Sequence, residues 1–227
     1  MRVSRVGVVN DSARVVLPCK DEAPALRALL PLIPARWGVI VVDNNSADDT
    51  AAVAQALGAT VVWEGRPGYG AAVHAGILAA ESTYVAVMDG DGSFDPADLD
   101  RLLRCVQRGD ADLAVGRRRP VARGVWPWHA RLGNRLVVSW LRRRIGLPVH
   151  DIAPMRVARR EALLALGVLD RRFGYPVELL QRATMAGWRI REFDVAYHPR
   201  ARGTRSKVSG SVTGTVRTAR DFLRVLA

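Results

Sequence analysis

Tyr84–Pro96 reads YVAVMDGDGSFDP. Five apolar residues with no polar alternation describe a strand buried on both faces, the kind found inside a parallel sheet. Asp89 and Asp91 follow it directly, separated only by Gly90. Two carboxylates at a strand end cannot both be desolvated without a partner. A divalent cation answers that need, because Mg2+ or Mn2+ prefers oxygen ligands and bridges to a diphosphate. Gly90 and Gly92 allow the backbone to approach a ligand closely. An Asp-x-Asp triplet is common by chance, so its place in the fold carries the weight.

Working outward, the same punctuation recurs. Arg14–Pro18, Val39–Val42 and Thr60–Trp63 are apolar, β-branched runs that read as strands, and Asp112–Val115 closes the series. Helical patterns fill the gaps over Pro24–Leu32, Ala47–Leu57, Tyr69–Ala80 and Pro96–Val106, the last with Asp95 as expected N-cap. The alternation predicts an α/β, Rossmann-like fold: a mostly parallel sheet flanked by helices. In such sheets ligands sit beyond the carboxyl ends of the strands. The tips there are Lys20-Asp21-Glu22, Asp43–Ser46, Glu64–Gly68 and Asp89–Gly92.

The tips differ in what they offer. Ser46 with Asp49 reads as a capping box, and Asp48 and Asp49 complement the helix dipole. Asp43 has no such role, and its carboxylate suits a base N–H. Gly65–Gly70 (GRPGYG) is glycine-rich but lacks the lysine of a P-loop.

From Arg117 the alternation stops. Arg117–Trp128 reads as a basic loop, and Ala130–Ile145 as an amphipathic helix with Leu132, Leu136, Val137, Trp140 and Leu141 on or near one face. Helices follow at Arg159–Leu166 and Pro176–Ala186, then a strand over Arg189–Val195. A Gly/Ser/Arg loop and a helix ending at Leu226 complete a single domain with a C-terminal helical extension. The loop carries Arg200, Ser206 and Lys207, a basic and hydroxyl set suited to clamping phosphates.

The 227 residues carry a net charge of +12, nearly all arginine; Lys20 and Lys207 are the only lysines. Such a balance is compatible with nucleic acid, an anionic membrane or a phosphate-bearing substrate. No apolar run approaches the ~20 residues of a membrane span. The N-terminus breaks at Asn10-Asp11-Ser12 and makes a poor signal peptide, so a soluble, cytoplasmic protein is expected. Cys19 and Cys105 fit neither a zinc spacing nor a disulfide framework.

Taken in order, LPCKDE (Leu17–Glu22), VVDNNSADDT (Val41–Thr50), GYGAAVHAG (Gly68–Gly76), VMDGDGSFDP (Val87–Pro96), GYPVELLQRA (Gly174–Ala183) and RSKVSG (Arg205–Gly210) span nearly the whole chain. Together they resemble family 2 glycosyltransferases of the GT-A fold, above all the branch of dolichyl- and polyprenyl-phosphate glucose and mannose synthases. The resemblance implies a nucleotide-binding half over 1–116 and an acceptor half over 117–227. It implies that Pro18, Lys20, Glu22, Asp43 and Gly70 line the donor site, with Asp43 on the base. Asp89 and Asp91 would hold Mg2+ or Mn2+ and the diphosphate of a UDP- or GDP-sugar, and Arg200, Ser206 and Lys207 would close over the phosphates. Members of this branch can offer a side-chain amide to the metal where this chain has Ser93, so water or His198 would take that place.

The acceptor implied is a polyprenyl phosphate or a soluble molecule, reached with inversion at the sugar. A hydroxyl acceptor needs a base, and Asp151 and Glu178 are the candidates. The Trp126/Trp128 loop and the basic surface suit peripheral membrane contact. Two rivals make distinct demands. A sugar-phosphate nucleotidyltransferase should have a glycine- and arginine-rich loop after its first strand, which Leu17–Pro24 does not supply. A basic nucleic-acid-binding module leaves the acidic strand tips unexplained, so no nucleic-acid partner is expected.

Overall fold

The structure, a computed structural model, describes residues 12–201 together with Asp221 and Phe222. Apolar runs became central strands: β1 (Ala13–Cys19), β2 (Trp37–Asp43), β3 (Thr60–Trp63) and β4 (Tyr84–Val87) are all parallel. Helices α1 (Ala23–Leu29), α2 (Thr50–Ala56) and α3 (Tyr69–Ala79) connect them. Then follow α4 (Asp98–Gln107), β5 (Leu113–Pro120), α5 (Trp128–Ile145), β6 (Met155–Arg159), α6 (Arg160–Ala165), α7 (Tyr175–Met185) and β7 (Ile190–Tyr197).

The seven strands lie in the order β3-β2-β1-β4-β6-β5-β7. The chain builds outward from β1 to β3, then returns to place β4 on the other side of β1. The switch point is therefore between β1 and β4, where the tips Lys20–Glu22 and Asp89–Asp91 lie side by side.

Successive strand residues face opposite layers. Val15, Leu17, Val41 and Ala86 pack with Leu26, Leu99 and Leu102 on one face. Val16, Ile40, Val42 and Val85 pack with Val73, Ile77, Leu141 and Leu180 on the other. Gly76 lets α3 sit directly on β1, since a Cβ there would lie 2.3 Å from Val16 Cγ1.

Several local expectations are corrected. β6 was not expected: Met155–Arg159 is short, and Arg156 masks its apolar signal, yet it pairs antiparallel between β4 and β5. β5 runs on to Pro120, because its basic second half pairs with β7 as far as Pro120↔Tyr197. α2 begins at Thr50 and Ser46 does not cap it. α4 begins at Asp98; Asp95 Oδ1 accepts the Ala97 amide in the preceding turn. On α5 the buried residues are Asn134, Val138 and Leu141, while Leu132, Leu136 and Trp140 point outward. Cys19 and Cys105 are both buried. Asp221 and Phe222 are helical; the rest of the expected C-terminal helix lies outside the described residues.

Candidate active site

The tips of β1 and β2 are laced together by side chains, among them Ser46, whose sequence pattern reads as a helix cap. Ser46 Oγ accepts the Asp21 amide at 3.0 Å, and Asp21 Oδ1 accepts the Ala47 amide at 2.7 Å. Thr50 Oγ1 accepts the Glu22 amide at 2.9 Å, and Asp48 Oδ2 accepts the Ala23 amide at 3.1 Å. The capping chemistry is thus spent across two loops rather than within α2. Asp43, 2% exposed, accepts the Ser46 amide at 2.9 Å, which tightens its own turn. Asn44 holds the next tip, donating to the carbonyls of Glu64 and Arg66 and accepting from the Gly68 amide, each at 2.8 Å.

The acidic pair sits against this frame. A Cβ on Gly90 would lie 2.4 Å from Cys19 Sγ and 3.1 Å from Glu22 Oε2, so only glycine lets the β4 tip come this close to β1. Asp91 is buried. Its Oδ1 accepts the Ser93 amide and its Oδ2 meets Arg200 Nε, each at 3.0 Å. The segment leaving β7 pairs with the same stretch: the His198 amide donates to the Ser93 carbonyl and the Ala201 amide to the Asp91 carbonyl, both at 3.0 Å. Burial, reinforced by the neighbouring Asp91 charge, pushes the Asp89 carboxyl up to about 6.

Three guanidiniums oppose that push, from Arg200, Arg118 and Arg156. Chain direction brings them together. β6 runs antiparallel to β4 with Arg156 opposite Val87, so the start of β6 meets the end of β4. β5 runs past β6 and carries Arg118 to the same edge, beside Val195 of β7. Arg118 lies over the Trp126 ring at 3.9 Å, and Tyr197 packs edge-on to Trp126 with centroids 6.1 Å apart. Tyr197 also hydrogen-bonds Arg200.

Several polar atoms in this neighbourhood have no protein partner. Arg156 is 2% exposed and donates from Nη2 to the Ala153 carbonyl at 2.8 Å, but its Nε and Nη1 are buried and unmatched. Ser93 Oγ and Tyr69 Oη are likewise buried without a partner. Each unmet group costs about 1–3 kcal/mol. Their gathering around Asp89 and Asp91 fits a site completed by water or ligand.

The expected bases are both engaged. Asp151 accepts from Arg118 Nη2 at 2.6 Å on one oxygen, and from Arg118 Nε and the Arg118 amide at 2.9 Å on the other. Burial works to raise this carboxyl, but the Arg118 charge and these bonds outweigh it and hold it below its usual range. Glu178 accepts from the Leu169 amide and Arg182 Nε on Oε1, and from the Asp170 amide on Oε2. Against the upward push of burial, these donors keep it low as well.

A family model described as glycosyl transferase family 2 matches residues 14–167, which is most of the chain and includes both acidic tips. The chain belongs to glycosyltransferase family 2. An uncharacterized glycosyltransferase of Mycobacterium tuberculosis is 59% identical over 97% of this chain and 100% of that protein. A polyprenol monophosphomannose synthase of Mycolicibacterium smegmatis is 33% identical, covering 87% of this chain and 81% of its own. Among solved structures, glucosyl-3-phosphoglycerate synthase of M. tuberculosis in complex with Mg2+ and UDP superposes with a TM-score of 0.76 at 23% identity, over 95% of this chain and 78% of that one. That likeness shows the GT-A fold.

Within this glycosyltransferase the structure gathers Glu22, Asp43, Asp89, Asp91 and Arg200 at one sheet edge, with Pro18 and Lys20 on the same β1 tip. Gly70 belongs to a different contact. Its amide donates to the Arg172 carbonyl, and a Cβ there would lie 2.7 Å from Asp170 O, so it seats α3 against the segment before α7. Ser206 and Lys207 lie outside the described residues. The sequence missed Arg118, Arg156 and Tyr197. Arg156 had a legible signal, a lone cation inside the apolar stretch Ile152–Ala158. Arg118 had none, since Arg117-Arg118-Arg119 looks like a solvated basic run.

Among the described residues no third His, Cys, Asp or Glu joins Asp89 and Asp91 in a metal-sized cluster. Two carboxylates still suit Mg2+ or Mn2+, which commonly takes one or two protein carboxylates and completes its shell from water and substrate phosphates.

Proposed function

We propose that this glycosyltransferase moves a hexose from a nucleoside-diphosphate sugar, held with a divalent metal, to an acceptor that is already ionised, a polyprenyl phosphate. One observation carries the acceptor reading. Asp151 and Glu178, the carboxylates a hydroxyl acceptor would need, are each tied to an arginine and held at low pKa. A phosphate acceptor needs no base. Its oxygen attacks the anomeric carbon, the bond from that carbon to the diphosphate oxygen breaks, and the electron pair leaves on the nucleoside diphosphate.

Charge supports the donor reading. Beside the carboxylates of Asp89 and Asp91 stand the guanidiniums of Arg118, Arg156 and Arg200. The carboxylates suit a divalent cation and the guanidiniums a diphosphate, so metal and diphosphate together complement the site. Asp89 and Asp91 would hold the metal, which when bound neutralises charge growing on the leaving diphosphate. Arg200 would then turn from Asp91 to the phosphates. Pro18, Glu22 and Asp43 would face the nucleoside, with Asp43 on the base. The M. smegmatis relative is named for a polyprenol monophosphomannose product, and a Haloferax volcanii relative, 30% identical over 86% of each chain, is a dolichyl-phosphate hexose transferase.

The test is transfer from labelled UDP- and GDP-sugars to a polyprenyl phosphate in Mn2+, with 3-phosphoglycerate and free polyprenol as parallel acceptors. Lipid-linked label from the phosphate but not from the alcohol is expected. Label on 3-phosphoglycerate alone would move the acceptor to a small soluble molecule, and label on its hydroxyl or on the polyprenol would reinstate a base.

A further inference from the structure

We propose that the outward face of α5 is a docking surface for an anionic lipid bilayer. Trp128, Leu132, Leu136 and Trp140 recur every fourth residue and are 75%, 47%, 62% and 36% exposed. At that spacing they form one stripe along about 18 Å of helix. Leu132, Leu136 and Trp140 belong to the apolar face that the sequence pattern shows. The core instead takes Asn134, Val138 and Leu141 from the opposite side, so the apolar stripe stays at the surface.

At about 100° per residue, Arg131, Arg135 and Arg142 run along one border of the stripe and Arg144 along the other, with Arg143 between. All five are exposed, and α5 contains no acidic residue. The Arg144 guanidinium sits 5.8 Å from the centre of the Trp140 ring. A shallow depression lined by Leu136, Trp140, Arg143 and Arg144 sets apolar wall and guanidinium side by side. Tryptophan and leucine on one strip with arginine on its borders is the chemistry of a helix lying in the membrane interface. Aliphatic stems of the bordering arginines stay with the apolar surface while their heads reach lipid phosphates. No helix among the described residues is long and apolar enough to cross a membrane.

Charge selects this occupant over others. A second copy docked on the same face would oppose arginine with arginine. The segment 202–227 of the chain carries six cations against Asp221 and is equally mismatched. Nucleic acid would satisfy the arginines but leave two tryptophans and two leucines without an apolar partner. The inner face of the same helix reaches the active site: Asn134 Oδ1 accepts the Ile152 amide at 3.0 Å, next to Asp151 and Arg118. A bilayer on the outer face would therefore lie one helix diameter from the catalytic edge. The surface deepens the proposed use of a lipid-borne acceptor, and only its purpose rests on that reading.

The test is co-sedimentation of the full chain with vesicles, without donor or acceptor. Binding is expected to phosphatidylcholine vesicles containing phosphatidylglycerol, not to phosphatidylcholine alone, and to weaken as salt rises. Leu136→Glu should abolish it, and Arg135→Gln and Arg143→Gln should each weaken it about fivefold. All three side chains are exposed, so thermal melting should be unchanged and a folding defect would be seen. Equal binding to both vesicles, or undiminished binding by Leu136→Glu, would overturn the proposal. So would a native dimer that Leu136→Glu splits, or duplex DNA binding that is lost in the same variant while vesicles are ignored. Vesicle binding without transfer to polyprenyl phosphate would sink the acceptor reading alone.

Discussion

Arg200 Nε lies 3.0 Å from Asp91 Oδ2, so the second carboxylate of the acidic pair is already met by a cation from beyond the last strand. A metal bound there must share or displace that guanidinium. Arg200→Gln is expected to tighten Mn2+ binding in the absence of donor. The same change should weaken nucleoside-diphosphate-sugar binding about 10- to 100-fold, the scale of a lost charge-assisted hydrogen bond of about 1.5–3 kcal/mol. Calorimetric titration of metal, then of donor at saturating metal, measures the two opposite signs.

Asp89 stands at about 6 in the metal-free protein, pushed up by burial and by Asp91. A metal must displace the proton below that pH, so Mn2+ affinity should fall about tenfold per pH unit under pH 6 and level off above it. The folding sign is the reverse. A carboxyl raised on folding adds stability that is full below its unfolded value near 3.8 and lost as pH rises through 6. Saturating Mn2+ should therefore raise the melting temperature more at pH 7 than at pH 5, and Asp89→Asn should flatten the difference.

Asp151 and Arg118 form a buried pair, 1% and 17% exposed at the side chains, with contacts of 2.6 and 2.9 Å. Removing one partner leaves an uncompensated charge, and Asp151→Ala is expected to cost about 3–5 kcal/mol. With its folded pKa depressed, Asp151 contributes stability present above pH 3.8 and lost as pH falls through the lower folded value. Denaturant unfolding of the native chain and Asp151→Ala at neutral and acidic pH checks both, and the gap should close on the acid side.

Glu178 anchors the Leu169 and Asp170 amides and Arg182. Glu178→Gln should lower the melting temperature while leaving the pH dependence of kcat unchanged. Loss of an acid limb from the pH–rate profile would instead make it a base.

Gly90→Ala should separate the β1 and β4 tips, because its Cβ would meet Cys19 Sγ at 2.4 Å. Overpacking of this kind costs about 1–3 kcal/mol. Cys19→Ala in the same chain should restore much of the lost melting temperature, which a purely conformational effect of Gly90 would not allow.

The parallel half of the sheet was legible because buried parallel strands need uninterrupted apolar runs, and Val15–Leu17, Ile40–Val42 and Tyr84–Val87 supply them. Where a strand carries charge the signal fails: Met155–Arg159 hides behind Arg156, and the second half of Leu113–Pro120 behind three arginines. The capping signal misled in a similar way, since Ser46 Oγ bonds to a loop 25 residues away.

The sequence by itself determined that Asp89 and Asp91 close a buried parallel strand beside Glu22 and Asp43, because strand polarity follows from apolar continuity and connection length. Only the tertiary structure decided which cations face them. Arg118, Arg156 and Arg200 lie 82 residues apart from first to last, and they meet because β6 reverses direction between β4 and β5. It also decided that Asp151 is an ion-pair partner rather than a free carboxylate, and that the apolar stripe of α5 faces outward. Those outcomes depend on which surfaces meet, and hydrophobic periodicity along one helix or strand carries no information about that.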